Sequence, residues 1–236
     1  NLTVDYHIQK IVEEVLSKNE VIGSAIVMEV NSGDILAMAS TPNFDQNNIG
    51  KYLDSENNEL INKAIGQYDL GSIFKTVVAA AAIEDNVVDP GEKFLCEGEI
   101  EVNNSIVKCA TYSTHEGKEL TFQEAFGYSC NTAFVKVGMR VGAQKILDMA
   151  KRMGFGEKQC SELLEEKPGI IPAVQDEGIG NISIGQGKIQ VTPLQVTTMM
   201  NAIASNGLRY NPSIIDKVTV TSKLGTTESK FERGKV

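Results

Sequence analysis

A short polar segment followed at once by an apolar run is the feature that most constrains this chain. Residues 68–75 read YDLGSIFK, and residues 76–83 read TVVAAAAI. A run that is apolar on nearly every side predicts a helix enclosed by protein, and the glycine before Ser72 predicts a turn where that helix begins. Ser72 and Lys75 are three residues apart, so their Cβ atoms on such a helix lie about 5–6 Å apart.

The pairing of Ser72 with Lys75 indicates acyl-transfer chemistry. A serine hydroxyl is a weak nucleophile and needs a neighbouring base to accept its proton, a task that lysine performs in Ser-Lys sites. Lys75 would have to be neutral, so its pKa must fall by roughly three units from about 10.4, at a cost on the order of 4 kcal/mol. We expect burial at the helix start to produce this shift.

A second serine with a lysine three positions later, Ser105 and Lys108, shows that the spacing also arises by chance. These two residues lie in an alternating stretch that predicts a strand. Side chains at i and i+3 of a strand point to opposite faces of the sheet. We therefore expect that Ser105 and Lys108 do not act as a pair.

The overall composition is that of a globular protein with one large domain or two interleaved lobes. Of the 236 residues, 42% are hydrophobic and 22% are charged, which is ordinary for this class. The formal net charge of -9 argues against a nucleic-acid partner, because phosphate binding needs clustered lysine and arginine. The chain starts at Asn1 without a methionine, and we expect that an upstream segment precedes it.

Hydrophobic periodicity predicts both helices and strands along the chain. In order, the predicted elements are a short strand at 1–5, a helix at 6–18, a hairpin at 24–39, a polar connection at 41–63, the Ser72 helix, a second hairpin at 93–108, helices starting at 121, 132 and 143, a helix from 193 to about 205, and a strand at 214–220 followed by a polar end. Capping boxes mark the helix starts at Thr121 and Thr192. Signals between residues 157 and 180 are weak.

A second polar cluster, formed by Ser129 and Asn131, lies between two predicted helices. An acyl-transfer site needs a group that relays the proton and donors for the oxyanion. The hydroxyl and the amide could both face a cleft and serve this purpose, although Ser-x-Asn also occurs in the polar stretches 17–19 and 55–57. Helix capping is the alternative interpretation, because both residue types cap helices well.

Together these segments resemble the transpeptidase domain of class B penicillin-binding proteins, the D,D-transpeptidases that cross-link peptidoglycan. The resemblance rests on YDLGSIFK at 68–75 with the lead-in NKAI at 62–65, on YSCNTAF at 128–134, on GQG at 185–187 with VTPLQ at 191–195, and on the opening segment 2–47. It covers essentially the whole chain. It implies a penicillin-binding protein/β-lactamase-like α/β fold, with an antiparallel sheet from the first and last thirds and a helical lobe inserted at roughly 50–180. The active site is expected at their junction.

The resemblance also implies roles for individual residues. Ser72 would attack the D-alanyl-D-alanine carbonyl of a peptidoglycan stem peptide, with Lys75 as the base. Ser129 would pass the proton on, and Asn131 would hold the substrate amide. A neighbouring stem peptide then resolves the acyl-enzyme, and β-lactams would acylate Ser72 as substrate mimics. No cofactor is required for this chemistry.

Location and partners follow from the same resemblance. The family acts at the extracytoplasmic face of the bacterial cell membrane, held by an upstream anchor, with a glycosyltransferase as the expected partner in a wall-synthesis complex. Division, elongation and sporulation roles are all left open. Two other functions also fit the motifs: a β-lactamase or β-lactam sensor, and a non-catalytic scaffold of a cell-wall synthesis complex.

One departure from the family concerns its third motif, Lys-Thr-Gly on an inner strand. The segment KLGT at 223–226 is similar but comes too early, in what reads as a polar turn. We take it as chance and expect that the chain stops before the domain does, without the C-terminal strands. Loss of one oxyanion donor costs about 10²–10³ in rate, so residues 1–236 alone are expected to be nearly inactive.

The four cysteines raise the question of a metal. Cys96 and Cys109 flank the predicted second hairpin, and His115 follows closely. Two thiolates and an imidazole provide three of the four ligands of a structural zinc, although the spacing is no standard motif and a fourth ligand is not evident. A disulfide or free thiols are the alternatives. Cys130 is expected to pack as a small apolar side chain, and Cys160 has no evident role.

Overall fold

The fold is described from a computed structural model that covers residues 1–222, 225–230 and 234. These residues form two compact units. The first unit contains residues 1–68, 157–168 and 191–236, and the second contains residues 69–156 and 169–190.

Seven α-helices and ten strands follow one another along the described residues. In chain order they are α1 (Tyr6–Lys18), β1 (Gly23–Met28), β2 (Ile35–Thr41), β3 (Tyr68–Asp69), α2 (Lys75–Glu84), β4 (Lys93–Leu95), β5 (Glu99–Val102), β6 (Ser105–Lys108), β7 (Glu119–Thr121), α3 (Phe122–Gly127), α4 (Asn131–Val141), α5 (Ala143–Arg152), α6 (Ile179–Ile184), β8 (Gln190–Val191), α7 (Pro193–Ala204), β9 (Lys217–Ser222) and β10 (Gly225–Lys230). Most predicted helices and the first hairpin are confirmed.

The first unit is built around the antiparallel pair β1 and β2, in which Ala25 lies opposite Ala39. Side chains of β2 alternate between buried and half-buried, so one face of this pair is turned towards the core. That core brings together residues from β2, from the loop segments and from α7, namely Ile35, Ile65, Cys160 and Leu194. The unit therefore gathers β1, β2, α7 and the segment 157–168 around one set of apolar contacts.

The second unit is helical and encloses α2. This helix packs against α4, α5 and α6, and five of its ten residues are buried: Lys75, Val77, Val78, Ala81 and Ala82. Its sequence offers no polar stripe that could face water, so neighbours on several sides are what stabilise it. The prediction that protein encloses the helix after Ser72 is confirmed for most of its length, and Ile83 and Glu84 at its end are exposed.

Both predicted capping boxes are present. The hydroxyl of Thr121 accepts a hydrogen bond from the Glu124 N–H while the Glu124 carboxylate accepts one from the Thr121 N–H. Thr192 and Gln195 form the same arrangement at α7, with proline at the first helical position. Each box satisfies backbone donors that the first helical turn leaves without partners.

Four sequence predictions were wrong or incomplete. The second hairpin is β5 with β6, and β4 pairs instead with β7. The predicted strand at 1–5 is a single bridge between Leu2 and Ile215. The chain after β9, predicted as a polar end, forms β10, which pairs antiparallel with β9. Its side chains are polar and exposed, so the hydrophobic pattern gave no sign of a strand that is held by backbone hydrogen bonds. Helix α6 was not predicted, because it has only 6 residues and its isoleucines alternate with glycine, asparagine and serine.

The KLGT segment, interpreted from its sequence context as a chance match, is described only in part. Its residues 223 and 224 lie outside the described residues. Of the helices within the described part of the chain, none has the length and hydrophobicity that crossing a membrane would require.

Candidate active site

The serine predicted as nucleophile lies where a tight turn becomes α2. Gly71 has a positive φ of 61°, and residues Gly71–Phe74 form one 3-10 turn that leads directly into Lys75. The Gly71 N–H donates to the Gly185 carbonyl at 2.8 Å. Ser72 is therefore presented by a turn whose backbone is fixed from the loop after α6.

The side-chain amine of Lys75 lies among four oxygens. Its Nζ is 3.4 Å from Ser72 Oγ, 2.9 Å from Ser129 Oγ, 2.7 Å from the Ser129 carbonyl and 2.6 Å from Asn131 Oδ1. The structure thus brings together the four residues predicted for catalysis and substrate binding. All four belong to the second unit.

Burial shifts the protonation of this amine. Lys75 is only 1% exposed, and loss of solvation lowers its pKa from 10.5 to about 8. Negative charge on the Cys109 and Cys130 thiols acts in the opposite direction and limits the fall. A substantial fraction of Lys75 is then neutral at mildly alkaline pH, as the sequence argument required.

The oxygens around Lys75 dictate how a neutral amine would be oriented. A neutral amine has two N–H donors and one lone pair, and the Ser129 carbonyl and Asn131 Oδ1 can only accept. They therefore take the two N–H groups. The lone pair is left towards the hydroxyls of Ser72 and Ser129, which can donate. In this orientation the neutral Lys75 amine can accept the hydroxyl proton of Ser72.

The loop that carries Ser129 has an unusual backbone. Ser129 follows α3 with φ of +57°, a left-handed conformation that is uncommon for residues other than glycine. This conformation turns both the carbonyl and the hydroxyl of Ser129 towards Lys75. Such backbone strain persists only where the surroundings over-determine it.

Asn131 links this loop to the β5–β6 hairpin. Its Nδ2 donates to the Lys108 carbonyl at 2.7 Å while its Oδ1 accepts from Lys75. The observed contacts give Asn131 a positioning role for Lys75. The amide nitrogen carries two hydrogens, so a contact with substrate is compatible with these bonds and stays a prediction.

The second serine and lysine pair behaves as predicted. Ser105 and Lys108 are the two ends of β6, which pairs antiparallel with β5. Positions three apart in a strand lie on opposite faces, so these side chains do not meet.

The predicted metal ligands also come together, with one addition. One ligand atom from each of Cys96, Cys109, His115 and Cys130 lies within 4.8 Å of the others, and all four residues are buried. Cys109 Sγ is 3.8 Å from His115 Nε2 and 4.0 Å from Cys130 Sγ. Two sulfurs bound to one tetrahedral zinc at about 2.3 Å each are about 3.8 Å apart, so the donor set fits zinc.

The pKa shifts of His115 and Cys109 favour the forms that bind metal, whereas the pKa shift of Cys130 opposes it. Burial and then the positive charge of Lys118 lower the pKa of His115, which favours the neutral imidazole that binds metals. Burial raises the pKa of Cys109, but hydrogen bonds involving Thr111 and the Asn131 backbone outweigh it and the net pKa is lowered. Burial raises the pKa of Cys130 to about 11.

Sequence reasoning missed Cys130 as a possible ligand. It was expected to pack as an apolar side chain, because no spacing rule connects it to Cys96 and Cys109. Its place in the cluster depends on how the 129–131 loop meets the end of β6. All four cysteines are free thiols in the structure, which does not favour the disulfide alternative.

Comparison with known proteins identifies the class to which this fold and site belong. Residues 23–235 match the family described as "Penicillin binding protein transpeptidase domain". The chain is 32% identical over 237 residues to penicillin-binding protein PbpB of Mycobacterium tuberculosis, covering 96% of this chain and 34% of that protein. It is 29% identical to the peptidoglycan D,D-transpeptidase PbpA of Mycolicibacterium smegmatis, covering 89% of this chain and 47% of the relative.

Solved structures give the same result. Penicillin-binding protein 3 from M. tuberculosis, complexed with aztreonam, matches with a TM-score of 0.85 and 30% identity over 98% of this chain and 52% of that one. Penicillin-binding protein A from M. tuberculosis, as a ceftriaxone acyl-enzyme complex, matches with a TM-score of 0.87 and 25% identity over 99% and 56%. The fold is that of the penicillin-binding protein transpeptidase domain, as predicted.

The chain therefore belongs to the transpeptidase family of class B penicillin-binding proteins. It spans about a third of the length of PbpB and about half that of PbpA.

Replacing Asn131 with alanine tests the positioning role. Asn131→Ala removes one acceptor from the buried Lys75 and leaves the Lys108 carbonyl without its donor, so we expect a loss of about 2–3 kcal/mol in the free energy of unfolding. Denaturant unfolding measures the loss. Asn19→Ala is a matched control, since the Asn19 amide donates to Val15 at the exposed end of α1 and should cost less than about 0.5 kcal/mol. Equal losses in both variants would contradict the assignment.

Proposed function

We propose that Ser72 is the nucleophile of a peptidoglycan D,D-transpeptidase and forms an acyl-enzyme with stem peptides and with β-lactams. The observation that carries the proposal is the buried amine of Lys75, 3.4 Å from the Ser72 hydroxyl and hydrogen-bonded to the 129–131 loop. Family membership supports the same reaction class, as does the relative named as an acyl-enzyme complex.

Acylation begins with attack of Ser72 Oγ on the carbonyl carbon of the D-alanyl-D-alanine bond while neutral Lys75 takes the hydroxyl proton. The C–N bond breaks, and the proton passes through Ser129 Oγ, 2.9 Å from Lys75 Nζ, to the departing D-alanine amine. An amine of a neighbouring stem peptide then attacks the Ser72 ester. Its displaced proton returns through Lys75 to Ser72, which restores the enzyme.

Two groups are assigned to substrate binding and to stabilisation of the oxyanion: the Asn131 side chain at the start of α4, and the Ser72 N–H in the turn before α2. The Asn131 amide has a second hydrogen for the carbonyl of a substrate amide. Backbone N–H groups in the first turn of a helix lack partners within the helix, so the Ser72 N–H is a donor for the developing oxyanion. A second donor is expected from the family's Lys-Thr-Gly strand.

Location and partners are proposed on family grounds alone. The protein would work at the outer face of the cell membrane together with a glycosyltransferase. A β-lactamase or sensor would form the same acyl-enzyme, and acyl-enzyme lifetime separates the functions: a transpeptidase holds the penicilloyl group for long periods, whereas a β-lactamase releases it rapidly. A scaffold protein would form no acyl-enzyme.

Covalent labelling tests the nucleophile. The protein as the cell makes it should take up a fluorescent penicillin covalently, seen by gel fluorescence and by intact mass, and Ser72→Ala should abolish the label. Ser105→Ala is the matched control, because Ser105 is the exposed serine of the other Ser-x-x-Lys segment and its loss should leave labelling unchanged. Labelling of the Ser72→Ala variant would overturn the assignment.

We also propose that Cys96, Cys109, Cys130 and His115 hold a structural zinc. The compact, buried donor set is the observation that supports it. When bound, zinc would crosslink two segments: the hairpin segment that carries Cys96 and Cys109, and the loop that bears Ser129 and Cys130. Cys130 lies between Ser129 and Asn131, so this ligand belongs to the loop that contacts Lys75.

Metal analysis tests the zinc site. Protein purified without added zinc should contain about one equivalent by mass spectrometry of the element, as a closed four-ligand site implies. Cys109→Ser should lose the metal, because it removes a central ligand, and its melting temperature should fall. Cys160→Ser, which replaces a buried cysteine outside the cluster, should keep the metal. Wild-type protein with less than about a tenth of an equivalent would end the proposal.

A further inference from the structure

The loop after α6 is wrapped around one carboxylate. Glu177 Oε1 accepts from the Gly178 N–H at 3.1 Å and from Asn181 Nδ2 at 2.8 Å, and Oε2 accepts from the Lys188 N–H at 2.8 Å. Glu177 therefore joins the segment before α6, the helix itself and the chain that follows it. We call these three bonds the Glu177 clamp.

The approach of the loop to this carboxylate is close. Gly187 has φ of +77°, and a Cβ atom at this position would overlap Oε2 and Cδ of Glu177. Only glycine allows the backbone to come this near. The Gln186 N–H also donates to the Asn181 carbonyl at 3.0 Å. Asn181 therefore contacts the Glu177 carboxylate through its side chain and the 185–188 loop through its backbone.

The same loop supports the nucleophile turn. The Gly185 carbonyl accepts from the Gly71 N–H, one residue before Ser72. A Cβ atom on Gly185 would overlap the Gly71 carbonyl and Cβ of Phe74, so the two segments are in direct backbone contact. Any displacement of residues 185–188 is therefore passed on to the turn that sets the position of Ser72.

We infer that Glu177 is a positioning residue for catalysis: its clamp fixes the 185–188 loop, and through Gly185 this loop fixes Ser72 relative to Lys75. The inference rests on the proposed role of Ser72. Glu177 itself contacts neither Ser72 nor Lys75 in the structure, so it acts only through the backbone bond between Gly185 and Gly71. A nucleophile needs placement to a fraction of an ångström, and a misplacement of about 1 Å costs on the order of 10²-fold in rate.

The charge and symmetry of the carboxylate are both needed. Every partner in the clamp is a donor, and an ionised carboxylate offers acceptors on both of its oxygens. A glutamine side chain has one accepting oxygen and one donating nitrogen. In either orientation its NH2 group would therefore face an N–H donor of the clamp, either that of Lys188 or those of Gly178 and Asn181. Glu177→Gln should therefore open the loop although it keeps the size of the side chain.

The test separates binding from chemistry with a chromogenic β-lactam and the protein as the cell makes it. Stopped-flow measurement gives the dissociation constant of the initial complex and the rate constant of acylation. Glu177→Gln should lower the acylation rate constant roughly tenfold to a hundredfold and leave the dissociation constant within about a factor of two. Asn181→Ala, which removes one bond of the clamp, should lower it about threefold.

A matched control lies at the far end of α2. Glu84 forms two bonds with Arg152, at 2.7 and 2.8 Å, and Glu84→Gln removes an ion pair from the same unit without touching the 185–188 loop. Its acylation rate constant should equal that of the wild type. Thermal melting of all variants is measured in parallel, so that rates are compared for folded protein.

The outcomes are distinguishable. If the wild-type protein is not acylated, the proposed function fails. If the wild type is acylated and Glu177→Gln reacts at the same rate, the inference about Glu177 is wrong while the function of Ser72 stands. If Glu177→Gln instead weakens binding and lowers the melting temperature with no change in the acylation rate constant, the role is structural and the inference is also wrong.

Discussion

Placing an amine in the interior of a protein is the constraint on which the site depends. Lys75 is almost completely buried, and a buried ammonium without partners would be far too costly to keep. The fold answers with oxygens from one loop, the Ser129 carbonyl and hydroxyl and Asn131 Oδ1. These acceptors are sufficient to hold the amine but do not restore its full solvation, so its pKa falls to about 8. Stability and reactivity thus come from one set of contacts.

Several backbone features of the second unit serve this set of contacts. The left-handed conformation of Ser129 aims two of its oxygens at Lys75, and Asn131 ties the loop to the end of β6 at Lys108. Cys109 follows Lys108, and Cys130 lies between Ser129 and Asn131, so the thiol cluster adjoins both ends of this connection. The turn before Ser72 is held independently through Gly185. Nucleophile and base are therefore positioned by two different neighbouring segments.

The sequence was most informative where local rules act. Capping boxes located α3 and α7, the apolar run located α2, and the alternation of residues 105–108 identified a strand that excluded a false serine and lysine pair. Pairings between distant segments could not be read in the same way. The partner of β4 is β7 because of tertiary packing, and nothing in the spacing of Cys96, Cys109 and His115 indicated that Cys130 joins them. The Glu177 clamp escaped notice because two adjacent acidic residues before a glycine, Asp176 and Glu177, resemble an ordinary surface loop.

The most direct test of the account is the charge of Lys75. Protein labelled with ¹⁵N at lysine Nζ can be titrated by NMR, and the Lys75 resonance is identified by its loss in Lys75→Met. The account predicts that this amine is charged at low pH and becomes neutral with a midpoint near pH 8. A midpoint near the reference value of about 10.4 would mean that almost no Lys75 is neutral at physiological pH and would contradict the account.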